Sequence, residues 1–479
     1  MNNIRLRFAP SPTGFLHIGN FRVALFDYLI GQSLKGELIL RIEYTDSKRE
    51  VEGAADKLIK VLDIFNIKFN EGPHVGGPFA PYTQSERLDI YNKYSNQLLK
   101  EKKVYRCFCT EDRLTEMRSA QEANKLAPRY DRLCRDLSEE ESDRRAAAGE
   151  PFVIRQKMPL EGKVVVHDEL RGDITFDATD LDDQVLIKSN GVPTYQFASV
   201  VDDHTMEVSY VTRGDEWLSS YPKNILLYQA LDWTPPKFIH FPLVLNKEGG
   251  KLSKRKGDVF VEDYLIKGYL PEAIINFCVL LGWHSKDDKE MYSLEELTSA
   301  FDINGLGSSP AVFDLERLDF FNGYYIRQKS LTELANLCRP YLSDTSIDQT
   351  QLEKVVGLAQ DRMKKLSDIN ELTEFIFADK LEYETDLLIW KSLSLEEVKA
   401  NLQEIKLMLE KVEDKDWNKE SLESLLVGYI KSNEKKVGDY LWPLRVSLTG
   451  LKNSPGPFEV ADTLGKVKSL ARIEIALSK

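Results

Sequence analysis

The chain reads as an α/β protein, a Rossmann-like parallel-sheet domain with an α+β insertion, followed by an all-α module. Three observations predict this. Strand-like and helix-like periodicities alternate over residues 1–90 and resume from about Thr194. Between them, from roughly Tyr91 to Leu186, the pattern is irregular. After about Leu315 nearly every segment is helical by spacing, with Gly and Pro thinning out until Ser454-Pro455-Gly456-Pro457.

Each element follows from local pattern. Ile4 to Ala9 is a short, partly alternating run that ends in the turn-rich Pro10-Ser11-Pro12-Thr13-Gly14. Phe21, Ala24, Leu25, Tyr28 and Leu29 then recur at helical spacing. Glu37 to Ile42 predicts a second strand, and Val51 to Phe65 a second helix with Ala54, Ala55, Leu58, Ile59 and Leu62 on one face. This β-α-β-α order implies a parallel, doubly wound sheet. Within the irregular stretch, a charged helix is expected around Leu137 to Ala148, and short alternating runs occur at Val153 to Gln156 and Lys163 to His167. Further on come Thr194 to Val201, Val208 to Val211, a helix from Tyr221 to Leu231 and a strand from Phe238 to Leu245.

The length of 479 residues is too great for one ordinary core. The expected division is 1–90, first half of the Rossmann-like domain; 91–192, the insertion; 193–248, second half; 249–320, a cationic-loop region; and 321–375 with 376–479, two helical parts. A net charge of −13 argues against indiscriminate coating of nucleic acid but not against a local basic groove. Five Cys in such a chain cannot form a disulfide framework, which points to a reducing compartment. Met1 runs directly into Ile4-Arg5-Leu6-Arg7-Phe8 without a signal core, and no apolar run approaches the ~20 residues that span a bilayer. A cytoplasmic location is expected.

Two motifs carry chemistry. His17-Ile18-Gly19 places an imidazole and a small residue at a predicted helix N-terminus, where free N–H groups and the helix dipole favour phosphate. Lys251-Leu252-Ser253-Lys254-Arg255, flanked by Gly249-Gly250 and Gly257, is a cationic loop suited to a triphosphate. Taken alone, the first is as well a structural histidine and the second a solvated face. Together and in this order they resemble the paired signatures of class I aminoacyl-tRNA synthetases.

The surrounding text narrows the resemblance. It comprises Arg7-Phe8-Ala9-Pro10-Ser11-Pro12-Thr13-Gly14-Phe15-Leu16-His17-Ile18-Gly19, Arg41-Ile42-Glu43-Tyr44-Thr45-Asp46, Pro193-Thr194-Tyr195-Gln196-Phe197-Ala198-Ser199-Val200-Val201-Asp202-Asp203-His204 and Arg213-Gly214-Asp215-Glu216. These segments resemble bacterial-type glutamyl-tRNA synthetases, almost from end to end. The resemblance implies ATP-dependent ligation of L-glutamate to the 3′ end of tRNA(Glu) through a glutamyl-adenylate, by a monomer that needs no membrane, with 1–90 and 193–248 as the catalytic domain, 91–192 binding the acceptor stem, 249–320 contacting the stem, and 321–375 with 376–479 forming an all-α anticodon-binding module. Mg²⁺ is expected with the nucleotide.

Glutamate presents two carboxylates and one ammonium, so its pocket needs about two cations and one anion. By resemblance, Glu43 meets the ammonium, Arg7 and Arg213 meet the carboxylates, and Tyr195 and Ser199 complete the glutamate site. A simple Arg7–Glu43 ion pair between neighbouring strands is the alternative. ATP would lie across His17, Gly19, Lys251, Ser253, Lys254 and Arg255, with His17 and Lys254 the catalytic pair. Asn20 stands where the class has its second His, Tyr44 replaces the usual Asp, and Ser199 replaces Asn or Cys. In the insertion, Cys107, Cys109, Tyr130 and Cys134 resemble the family's zinc knuckle; Asp136 is a competing oxygen ligand and buried free thiols are the alternative.

The helical module is unevenly charged, with 7 Lys/Arg against 15 Asp/Glu over 371–430 and 9 against 5 over 431–479. An RNA contact is expected in the terminal piece or near Arg362, Lys364 and Lys365, unless these are solvated faces. The rival reading of the whole chain is an inactive paralogue that binds RNA or a partner. Its mark would be loss of His17, Lys254, Arg213 or Glu43, and all four are present.

Overall fold

A computed structural model describes residues 4–12, 14–43, 53–252, 259–342 and 346–479. They form two compact units, Met1–Leu265 with Ile274–Leu315, and Ile266–Ala273 with Glu316–Lys479.

The first unit begins with strand β1 (Arg5–Phe8), helix α1 (Ile18–Ser33), strand β2 (Glu37–Leu40) and helix α2 (Ala54–Ile64). Helix α1 buries Phe21, Ala24, Leu25, Phe26, Leu29 and Ile30, more than one stripe, because it is enclosed rather than laid on a surface. Each large apolar side chain so buried contributes roughly 1.5–3 kcal/mol. Helix α2 buries Ala54, Leu58, Val61 and Leu62, leaves Ala55 and Ile59 half-buried and exposes the rest. The chain continues through α3 (Leu88–Lys100), β3 (Val104–Cys107), α4 (Glu111–Ala123), α5 (Glu139–Ala147), β4 (Val153–Gln156), β5 (Lys163–Asp168), β6 (Gly172–Asp177) and β7 (Val185–Ile187). It returns with α6 (Tyr195–Thr205), β8 (Tyr210–Gly214), α7 (Tyr221–Ala230) and β9 (Lys237–Phe241).

Six strands form the main sheet in the order β2-β1-β8-β9-β5-β6. Strands β2, β1, β8, β9 and β5 run parallel, and β6 closes the edge antiparallel. The chain winds from β1 to β2 on one side and reappears at β8 on the other. The switch point therefore lies between β1 and β8, where open α/β sheets bind ligands beyond the carboxyl ends of their strands.

The predicted insertion, 91–192, is not separate from this sheet: its hairpin β5–β6 pairs with β9 through Asp168↔Phe238 and extends the sheet by two strands. The alternation along Lys163–His167 shows the strand, but the partner is set by burial of Val164 and Val166 in the core shared with α6, α7 and Phe238. Within the insertion, β3, β4 and β7 make a sheet of their own. The strand expected over Phe238–Leu245 is interrupted at Pro242, after which Val244–Leu245 pairs with Ala311–Val312. Proline cannot donate to a ladder.

The second unit is helical. Val398, Leu402, Ile405 and Leu409 of Leu395–Glu410 meet Leu422, Leu426 and Ile430 of Lys419–Ser432 in one core with Leu444, Val446 and Ile473. The terminal helix Pro457–Ser478 is broken at Gly465, whose φ of 76° and ψ of 166° are not helical. A side chain would be strained there.

Candidate functional site

A cavity of about 440 Å³ opens at the switch point, walled by the ends of β1 and β8, the start of α1 and the segment after β9. Arg7, His17, Gly19, Glu43, Tyr195, Arg213 and Lys251 all line it. Residues drawn from far-apart segments thus meet in one space: Arg7, Glu43 and Arg213 at or just beyond the carboxyl ends of β1, β2 and β8, His17 and Gly19 at the start of α1, and Tyr195 at the start of α6.

At one end of the cavity, His17 caps α1, its Nδ1 accepting the Gly19 backbone N–H at 3.0 Å. With Nδ1 an acceptor, the ring proton of the neutral imidazole sits on Nε2. A Cβ at position 19 would lie 3.2 Å from His17 Nδ1, so a side chain there would push the ring aside. Segment 259–262 is bonded to this motif: Ile18 N donates to Val259 O at 2.8 Å, Val261 N to Leu16 O at 2.9 Å, and Leu16 N to the Glu262 carboxylate. Arg22, one turn into α1, also lines the cavity; its guanidinium donates to the carbonyls of Leu281 and Pro242, and burial lowers it to about 10.

At the other end, charges alternate. Arg7 Nε donates to Asp203 Oδ1 at 2.9 Å and Arg7 Nη1 to the Thr212 carbonyl at 3.2 Å. Arg41 Nη1 donates to the same Asp203 oxygen at 2.7 Å, and Arg41 Nη2 to Glu43 Oε1 at 2.8 Å. Arg7 and Glu43 are therefore not an ion pair with each other; each has its own partner. Burial pushes the Asp203 carboxyl up, but the fields of Arg7 and Arg41 and the bonds they donate bring it below the usual carboxylate value. Burial raises Glu43 despite Arg41 and Arg7, and its Oε2, also buried, has no hydrogen-bond partner among the described residues. Breaking such a buried pair by removing one partner costs about 3–5 kcal/mol.

Arg213 differs from Arg7. It is buried and has no carboxylate within ion-pair distance among the described residues. With the Asn224 amide oriented oxygen-first, both Arg213 Nη atoms donate to it at 3.2 Å, and the guanidinium lies over the Phe238 ring at 4.9 Å. Burial lowers its ordinary value. Tyr195 stacks against Trp217, ring centroids 4.6 Å apart, and burial, then Glu43, pushes its phenol up to about 12.

Ser199 is buried on α6, one turn beyond Tyr195, and does not line the cavity. Ser253, Lys254 and Arg255, and also Tyr44, lie outside the described residues. Residues that motif reasoning left without a role are Arg22, Arg41, Asp203 and Trp217. Arg41 carried a signal, since two residues apart in extended chain puts it on the same face as Glu43.

In the insertion, the sulfurs of Cys107, Cys109 and Cys134 all lie within 4.8 Å of one another. The Tyr130 hydroxyl is 3.2 Å from Cys107 Sγ and 3.4 Å from Cys109 Sγ. A hydrogen bond from Cys134 draws the Cys107 thiol well below its ordinary value while raising Cys134. Three converging sulfurs, one inclined to the thiolate, fit a soft divalent ion. Asp136 is not part of the cluster.

The chain matches the family model for class I tRNA synthetases (E and Q), catalytic domain, over residues 3–320, and that for an anticodon binding domain over 333–477. It is 44% identical to the glutamate–tRNA ligase of Clostridium botulinum strain Hall, covering 100% of this chain and 99% of that protein. It is also 44% identical to the glutamate–tRNA ligase of Clostridium tetani, covering 100% and 98%. The crystal structure of a glutamate tRNA ligase from Elizabethkingia meningosepticum in complex with its amino acid superposes with a TM-score of 0.91 at 34% identity, covering 100% of this chain and 99% of that one.

Proposed function

The chain belongs to the class I tRNA synthetases of the glutamate and glutamine type, and from that premise we propose how its residues divide the work. It acts as a glutamate–tRNA ligase, joining L-glutamate to the 3′ end of tRNA in an ATP-dependent reaction through a glutamyl-adenylate. The observation that supports the assignment of residues is the single cavity shared by Arg7, Arg213, Glu43, His17 and Gly19.

In this reading the cavity end with Glu43 and the two arginines takes glutamate. The orphaned Glu43 Oε2 meets the ammonium, and Arg213, free of a carboxylate partner among the described residues, forks onto one substrate carboxylate. Arg7 meets the other carboxylate with the part of its guanidinium that Asp203 does not occupy, and Tyr195 donates its hydroxyl. ATP lies over the start of α1, with His17, Gly19 and Lys251 on its phosphate side and Lys254 and its neighbours Ser253 and Arg255 completing the cation set.

The glutamate carboxylate oxygen attacks the α-phosphorus, and the bond to the bridging oxygen of pyrophosphate breaks. A hydroxyl of the terminal ribose of tRNA then attacks the carbonyl carbon, gives up its proton, and AMP leaves. No side chain need act as nucleophile, so catalysis is positioning and charge stabilisation. Mg²⁺, when bound with the nucleotide, would add positive charge at the phosphates. Zn²⁺, held by Cys107, Cys109, Cys134 and Tyr130, would when bound tie β3 to the following turns. The protein works as a monomer in the cytoplasm on tRNA(Glu); no helix among the described residues is long and apolar enough to cross a membrane.

ATP–pyrophosphate exchange driven by glutamate, with and without tRNA(Glu), tests this. Exchange with glutamate and little with glutamine is expected. No exchange under either condition would instead support the inactive paralogue.

A further inference from the structure

Asp203 does not line the cavity, yet both charged ends of the amino-acid site lead back to it. One of its oxygens, Oδ1, accepts from Arg7 Nε at 2.9 Å and from Arg41 Nη1 at 2.7 Å. Arg41, itself fully buried, passes the chain on to Glu43 Oε1 at 2.8 Å. The result is an alternating row, Arg7, Asp203, Arg41, Glu43, in which only the two outer members face the cavity. Its outer members have opposite sign, and each presents its charge to the side where the substrate would carry the complementary one.

We propose that Asp203 is a positioning residue for amino-acid recognition, which keeps Arg7 and Glu43 from pairing with each other and so leaves both available to the substrate. The inference rests on the division of roles proposed above. Its physical content is a competition. Arg7 and Glu43 are close enough for each to feel the other's field. Glu43 Oε2 is buried with no hydrogen-bond partner among the described residues, and a buried carboxylate oxygen without a partner draws in any nearby guanidinium. Asp203 holds Arg7 in place of Glu43, its Oδ1 accepting from both Arg7 Nε and Arg41 Nη1. With that charge removed, Arg7 loses its one carboxylate partner among the described residues, and the nearest unmatched acceptor is Glu43 Oε2. Arg7 then turns to Glu43. An internal Arg7–Glu43 pair would block the ammonium site and withdraw a carboxylate site in one movement, whereas the nucleotide end, at His17 and Gly19, shares no bond with this row.

The test is steady-state ATP–pyrophosphate exchange on the full chain with tRNA(Glu) present, comparing wild type with Asp203→Asn. Asparagine retains the shape and an acceptor oxygen and removes only the charge. The expected result is a KM for glutamate raised at least tenfold with the KM for ATP within twofold of wild type. Glu71→Gln is the control for a merely structural role, because it removes a buried carboxylate that pairs with Arg5 on the same strand as Arg7. It should lower thermal stability while leaving the KM for glutamate within twofold. If Asp203→Asn does not fold, Arg41→Lys decides by the same criterion, since lysine keeps one charge but not the fork that joins Asp203 to Glu43. An unchanged KM for glutamate, or equal rises for glutamate and ATP, would overturn the positioning role. Failure of wild type to use glutamate would instead overturn the division of roles on which it rests.

Discussion

Thr212, one residue before Arg213, donates its hydroxyl to the carboxyl of Asp27, a fully buried residue of α1. Burial lifts Asp27 to about 8 against the hydrogen bond from Thr212 and the field of Arg7, and its Oδ2 has no partner among the described residues. The folded chain thus holds a proton that the unfolded chain, with an ordinary carboxyl near 4, gives up. This contribution to stability is complete below about pH 4 and is lost as pH rises through about 8. The slope is at most about 1.4 kcal/mol per pH unit. Tm should fall between pH 6 and 8.5, and Asp27→Asn should flatten that fall; equal slopes in the two proteins would show that Asp27 is not the group responsible.

The two arginines of the amino-acid site should differ in degree. Arg213 lacks a carboxylate partner among the described residues, whereas Arg7 is already neutralised by Asp203. Arg213→Gln should lower kcat/KM for glutamate by the equivalent of about 2–5 kcal/mol, the cost of leaving a desolvated charge unmatched. Arg7→Gln should also cost glutamate activation heavily while changing ATP binding little. Exchange kinetics with each variant decide this: if Arg7→Gln stays within about threefold of wild type, Arg213 carries the carboxylate recognition alone.

A cation that acts mainly as pyrophosphate leaves should affect rate more than binding. Lys254→Ala is expected to lower kcat at least ~100-fold with a smaller change in the KM for ATP. An unchanged kcat would remove the loop from the chemistry.

For the sulfur cluster, metal analysis of protein purified without chelator should find about one zinc per chain. Cys109→Ser should lower that content and destabilise the insertion before ATP binding suffers. Metal-free protein of full thermal stability would leave the three thiols as a packed, metal-free core.

Much of this molecule is local and was therefore legible in the order of its residues. The run Ile4 to Ala9 followed by helical spacing from Phe21 announces β1 and α1, and the observed Arg5–Phe8 and Ile18–Ser33 match. The spacing of apolar residues reports burial, and burial on a period of two or 3.6 is a property of a short segment. His17 and Gly19 also act within one turn, through the cap that joins them. The signature segments told the family, and with it the set of charges that glutamate requires.

Choice of partner was decided by the tertiary structure. Asp203 meets Arg7 across 196 positions and Arg41 across 162. Nothing in the text around Asp203 distinguishes it from its neighbour Asp202, which accepts from Arg87, Gln84 and Tyr91 and stands 3.8 Å from Arg41 Nε. The same holds for β5, whose alternation predicts a strand but not that it joins β9. A strand's pattern says which face is buried, and a charge says only that burial will demand a counter-charge. Which one it receives depends on the order of strands across the sheet, and insertion of β8 beside β1 brings α6 and its two aspartates over the arginines of the amino-terminal strands.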